Sequence, residues 1–346
     1  MQSKALTRYL PVTLCSAAAL ALSTPVAAVD FTISGQLNRL IMSVDNGVED
    51  GIVHADNSAS GTRLRFEGMG ETDGGTEVGL YYETQLQSNP SDKVSVDSLD
   101  GDGSGGNVGE GDYFSTRFAT VWFKGDFGKL TIGQGSGATD GVAEVDKSGT
   151  TVIQYVGASN DLLGSMEYGA SGVTVGQARG HFDGLGRNDN LRYDASTGEI
   201  SFAASIGNGD KTELSAGYAV DNLEIRVGIW DSADSGNDVA GNAISASWIG
   251  AGGFNLTASY GSDDRAGDPT NIYFKVGYRA GAAAYAIDWG ETSDLTDGDA
   301  SAMSVAYVRD LMQGVQVYAS YRTDSLDGVA GEDDITALVG GARVKF

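Results

Sequence analysis

Along most of its length the chain alternates apolar and polar side chains at a period of two. That is the spacing that sends successive residues to opposite faces of a β-strand. In TRLRFEGM, residues 62–69, Leu64 and Phe66 share one face and Arg63, Arg65 and Glu67 the other. In TEVGLYYETQLQ, residues 76–87, Val78, Leu80, Tyr82 and Leu86 oppose Glu77, Tyr81, Glu83, Gln85 and Gln87. YFSTRFATVWFKG and KLTIGQG follow, joined by a tight DFG. The second half repeats the pattern in NLRYDA, EISFAASIG, TELSAGYAV, LEIRVGIW, NAISASWIG, FNLTASYGS, IYFKVGYRA, AAYAIDWG, SAMSVAYVRD and GVQVYASYR. The chain closes on ITALVGGARVKF, where Leu338, Gly340, Ala342, Val344 and Phe346 share one face and Val339, Gly341, Arg343 and Lys345 the other.

The connections alternate as well. Brief turns such as GETDGG, DFG, STG, DN and GAGG are interleaved with longer, acidic segments such as ETSDLTDGDA and DSLDGVAGEDD. Residues 45–60, DNGVEDGIVHADNSAS, are expected to be one of the long loops, and so is 88–111. Between KLTIGQG and NLRYDA, the stretch LLGSMEYGASGVTVGQARGHF reads on periodicity alone either as a further hairpin or as part of a long loop. The strand count is then 18 or 16.

Composition narrows the class. With 51 Gly, 4 Pro and 15 Tyr, and no long amphipathic helical pattern, the chain is an all-β structure rich in turns. Residues 1–28 read as an export signal: Lys4 and Arg8, an apolar run from Leu14 to Leu22, then Val26-Ala27-Ala28. Cys15 follows Leu14 rather than a small residue, which argues against a lipoprotein, and no other cysteine exists to form a disulfide. The chain from Val29 keeps 20 of the 22 basic residues and all 47 acidic ones, about 27 negative charges net. That sign disfavours nucleic acid as a partner. After Ala28 no apolar run approaches the roughly 18 residues of a membrane helix, whereas a membrane barrel leaves little hydropathy signal because its strands alternate. The polar face is large and charged, as a water-filled lumen allows, and closure removes the edges that a bilayer does not tolerate. Trp230, Trp248, Trp289 and Tyr321, near strand ends, are expected in the interfacial girdles.

The start ISGQLNR, the strand TRLRFEG, the block STRFATVWFKGDFGKLTIGQG with ATDGVAEVDKSGT, the return FDGLGRNDNLRYDAS and the terminal Phe346 resemble the general diffusion porins of Gram-negative outer membranes. The resemblance spans essentially all of residues 29–346. It implies a homotrimer of 16-stranded antiparallel transmembrane β-barrels set in outer-membrane lipid, each with a long third loop, here 135–187, folded into the lumen. It also implies passive diffusion of ions and small hydrophilic solutes, with Phe346 forming part of the signal read by the barrel-assembly machinery. An acidic loop then faces a basic wall: Asp140, Glu144 and Asp146 are the loop candidates, and Arg63, Arg65 and Arg117 the wall candidates. Gln134 stands where many relatives carry a basic residue. Arg39 lies off the wall, towards a neighbouring subunit. The acidic outer loops imply a mild cation preference.

No catalytic or metal-binding pattern competes. His54 and His181 belong to no cluster with metal spacing. GASGV at Gly169 lacks the last glycine of a nucleophile elbow, and GQGSG at Gly133 precedes no convincing helix. GDGSGGNVGEGD occurs once, without the repeat of a calcium-binding β-roll. We therefore expect no enzyme and no cofactor. The alternative is a secreted or surface β-protein that binds calcium or adheres to a partner.

Overall fold

The computed structural model describes residues 29–96, 114–154, 162–180, 182–234, 237–295 and 298–346. The export signal expected over 1–28, most of the acidic segment 88–111, and His181 lie outside the described residues.

The alternating segments form β1 (Asp30–Asp45), β2 (Asp50–Asp56), β3 (Arg63–Glu71), β4 (Glu77–Leu86), β5 (Phe114–Gly125), β6 (Gly128–Ser136), β7 (Arg187–Thr197), β8 (Ile200–Gly207) and β9 (Lys211–Val220). They continue as β10 (Leu223–Asp234), β11 (Asn237–Ile249), β12 (Phe254–Asp263), β13 (Thr270–Ala280), β14 (Ala283–Ser293), β15 (Asp299–Met312), β16 (Val315–Asp327) and β17 (Ile335–Lys345). Apart from β2 and β3, each pairs antiparallel with its neighbour in sequence, and β17 returns to β1 with Leu37 opposite Val344 and Val44 opposite Ala337. The sheet is closed. β2 and β3 both pair with β1, one along Arg39–Asp45 and the other along Asp30–Gln36, separated by a short 3₁₀ turn at Ser58–Ser60. They are two halves of one stave, so the barrel has 16. The loop expected over 45–60 is thus a tight turn followed by β2. Gly51, Val53 and Ala55 face one way and Ile52 and His54 the other, and two largely apolar faces leave no clean alternation to read.

All the connections at one end are short. Gly198 and Gly314 take positive φ (59° and 78°) in the β7–β8 and β15–β16 turns, a conformation costly for other residues. The opposite end carries the longer links, including 137–186 between β6 and β7. In this segment Tyr168 and Val173 pair through the backbone (3.0 Å) beside a Glu167–Thr174 bridge, and α1 (Val175–Ala178) follows. It adds a small hairpin but no stave.

The faces differ sharply. Around the ring, Leu37, Val121, Ile206, Leu256, Phe274 and Val305 are exposed to about half their surface or more, as are many other large apolar side chains. A soluble sandwich would bury such residues. Between them point Asn255, Thr257, Asn271, Lys275, Asp288 and Ser304, all buried. Segment 137–186 bonds to this second face: Ser215 Oγ donates to Ala138 O (2.6 Å), Asn57 Nδ2 to Val152 O (2.7 Å), and Gln154 Nε2 to Ser304 Oγ (2.8 Å). Its apolar residues, among them Val152, Ile153, Leu162, Leu163, Met166 and Val175, join Leu40, Met42, Val53, Val308 and Val339 in one buried cluster. Buried apolar area stabilises at roughly 25 cal/mol per Å², so this cluster holds the segment to one side of the barrel. Arg179, fully enclosed, donates to the carbonyls of Gly290 and Ala300 (3.2 Å each), and burial pulls its guanidinium down from its ordinary value while Asp324 opposes.

Candidate functional site: the polar face and the 137–186 segment

Because β3, β4 and β5 are adjacent and in register, residues of like parity meet on one face. Arg65 lies opposite Glu83, and Phe118 opposite Glu83 on the other side, beyond a β-bulge that re-aims Arg117. Glu83, 1% exposed, therefore gathers all three basic residues expected on the wall. Arg63 Nη1 approaches Glu83 Oε1 at 3.4 Å and Arg117 Nε at 2.7 Å, while Arg65 Nε and Tyr81 Oη (3.0 Å) donate to Oε2. The four acceptor positions of the carboxylate are filled. Glu83 was placed on the polar face by its parity, but its role as the organising anion becomes visible only when the three strands are side by side. Arg343 extends the basic strip from β17, donating to Gln316 Oε1 (3.0 Å) and Ser60 Oγ (2.8 Å).

The acidic candidates divide into two groups. Asp140 and Glu144 lie together with Asp183, their carboxylate oxygens within 4.8 Å of one another. Arg187 stands 3.7 Å from Asp140, Ser136 donates to Asp140, and the Gly141 N–H donates to Asp183 (3.3 Å). Asp146 lies elsewhere, in a fully enclosed ion pair with Lys275 at 2.7 Å that also receives the Ser148 N–H and hydroxyl (2.9 and 2.8 Å). Lys147, next in sequence, reaches Glu224 (2.7 Å), which also holds Arg226 (2.7 Å). Sequence reasoning missed Lys275, Arg187, Arg192 and Arg226. Lys275, Arg192 and Arg226 sit at polar positions of alternating strands, so parity marks them as lumen-side candidates, but nothing local tells which will meet the segment. Arg187 shares the parity of exposed Leu191 and Tyr193, at the first position of β7, and reaches Asp140 from there.

Gln134 pairs with Ala119 and Asp189 and so shares the face of exposed Val121 and Leu191, away from the basic cluster. Arg39 also leaves the polar face: it lies between exposed Leu37 and Ile41 and bonds Asp56 at 2.6 Å. Trp248, Trp289 and Tyr321 are on the exposed apolar face, whereas Trp230 is buried beside Val142 and Phe182. The girdle expectation therefore fails for Trp230, because it shares the parity of Glu224 and Arg226 and so points with them.

A family model of the Gram-negative porins matches residues 15–328. The chain belongs to that family. Solved porins share its architecture at low sequence identity. An anion-selective porin from Comamonas acidovorans superposes with a TM-score of 0.66 at 14% identity, over 92% of this chain and 100% of that one. The trimer form of OmpT from Vibrio cholerae gives 0.60 at 13%, over 92% and 100%. A triple mutant of the Rhodopseudomonas blastica porin gives 0.61 at 15%, again over 92% and 100%. A comparison with the curated proteins finds no match in sequence. No helix among the described residues is long and apolar enough to cross a membrane, and in this porin the staves would do so.

Proposed function

We propose that this porin is a passive outer-membrane channel for ions and small hydrophilic solutes, assembled as a homotrimer, with 137–186 folded into the lumen as its constriction. One observation carries the reading: around a sheet closed by β1 and β17, exposed apolar side chains alternate with polar ones, and the segment bonds only to the polar side in the contacts given above. An apolar belt outside and a hydrated, charged wall inside are what a bilayer and an aqueous path require. The apolar cluster under residues 152–178 closes the side of the lumen bounded by β1, β2 and β14–β17. The open lane then runs along β3–β10, past Arg63, Arg65 and Arg117 on one side and Asp140 and Glu144 on the other.

Arg39 with Asp56 places an ion pair among exposed apolar side chains, a costly arrangement against lipid, and it supports contact with a second subunit there. The exposed Phe346, bonded to Gly35 through both backbone groups (2.9 and 3.1 Å), suits recognition by the barrel-assembly machinery. Asp45, Glu49, Asp50, Asp264, Asp268 and Asp333 crowd the long-loop end, where like charge raises the local cation concentration. We therefore read the channel as mildly cation-selective, although the Comamonas porin is anion-selective. Zero-current potentials across a tenfold salt gradient test it. A cation preference that shrinks with rising salt is expected, and anion preference at low salt would overturn it.

A further inference from the structure

Three aromatic side chains project from the polar face of β4 and β5, and of these Tyr81 alone is tied to the charge cluster, through Glu83. The Trp122 indole lies across Gly79, its cross-strand partner, so closely that a Cβ added to Gly79 would stand 2.3 Å from the ring. The glycine is the seat that lets the indole lie flat on the wall and present a face to the lumen. Tyr81 and Phe118 stand beside it, edge to face, with centroids 5.2 Å apart. Together they form one wall of a cavity of about 650 Å³ that also meets Glu67, Lys129 and Arg192. That volume falls in the range of ordinary small-molecule sites.

The polar groups around these rings are balanced. Glu67 and Asp194 oppose Lys129 and Arg192, with Arg192 held in a two-point contact to Asp194 (3.0 and 2.8 Å). A balanced set of donors and acceptors gives no net attraction to an anion or a cation, but it can bond many hydroxyls. Lys129 lies over the indole, 5.1 Å from its centroid, a weak contact on a flexible stem that an incoming ring can replace.

We propose that this wall is a subsite for neutral oligosaccharides of two or more rings. Their apolar ring faces stack on Trp122 and Tyr81, and their hydroxyls bond Glu67, Lys129 and Arg192. The proposal rests on the channel reading above and adds a preferred solute class to it.

The test is the conductance of single channels of the detergent-extracted wild-type protein in a planar bilayer, titrated with maltotriose. A saturable fall in current with added noise is expected, and an equal concentration of polyethylene glycol of similar size should give none. Trp122→Ala, measured against its own open-channel level, should weaken the block about threefold to tenfold, the worth of one aromatic contact. Trp122→Phe should weaken it less. If Trp122→Ala does not assemble, the wild-type titration and Trp122→Phe still decide. Maltotriose acting no differently from the polymer, in a channel that conducts normally, would overturn the sugar subsite and leave the porin reading intact. So would a stronger saturable block by phenylalanine. Absence of any conductance would remove both.

Discussion

Glu83→Gln is the most informative single change, because it keeps the shape and removes one charge. In the native site all four acceptor positions of Glu83 are used, by Arg63, Arg65, Arg117 and Tyr81. A glutamine turns one oxygen into an NH₂ group, so two donors lose their acceptor and face another donor instead. A hydrogen bond to a charged group contributes about 1.5–3 kcal/mol, giving roughly 3–6 kcal/mol for two. The three arginine side chains are 15–29% exposed, and water replaces part of that loss. About 2–3 kcal/mol of destabilisation remains. The charge effect is separate. The cluster goes from two net positive charges to three, and one unit charge about 6 Å from a passing ion changes its energy by about 0.7 kcal/mol in a water-like dielectric. That is about threefold for each sign of ion before screening. The assay pairs the temperature at which the folded form is lost on an unboiled gel with the zero-current potential in a salt gradient. The midpoint should fall and the potential should move towards anions. An unchanged midpoint together with an unchanged potential, or a shift towards cations, would refute the reasoning.

Lys275→Met removes one partner of a fully enclosed ion pair and leaves Asp146, among the described residues, with Ser148 and Thr257 as donors. The expected cost is about 3 kcal/mol, visible as frequent brief closures of the channel, and Lys275→Met combined with Asp146→Asn should quieten it again. Val305→Arg, on the exposed apolar face at the middle of β15, should cost about 2–4 kcal/mol in a bilayer and far less in detergent, as measured by unfolding in each. Deleting Phe346 removes two backbone bonds to Gly35, about 1–3 kcal/mol, so refolding in detergent should survive. Its yield in the outer membrane should nonetheless drop severalfold if the assembly machinery reads this residue.

The staves were legible because an antiparallel barrel with one face in lipid and one in water imposes a strict two-residue period on nearly every strand. That parity also puts Arg63, Arg65 and Glu83 on a common face, whereas Arg117 has the parity of exposed Val121 and Phe123 and joins them because the bulge in β5 re-aims it. It failed where the chemistry on the two faces is similar. In β2, Val53 and Ala55 pack in the buried apolar cluster, so exposed Ile52 and His54 on the other face do not contrast with them. Trp230 was read by its place near a strand end, when its parity with Arg226 already pointed it inwards. The contacts of 137–186 were not legible at all. The partners of Asp146, Gln154 and Arg179 are more than a hundred residues away in sequence, on β13–β15, and are set by how the segment packs after closure.

In the proposed channel the closed sheet surrounds a path for water and ions that 137–186 narrows but does not seal. Single-channel recording of the extracted, unboiled protein in a planar bilayer tests it most directly. Stepwise insertion with three open levels per event and a conductance that scales with bulk salt are expected. A protein that stays soluble without detergent, or inserts and never conducts, would contradict it.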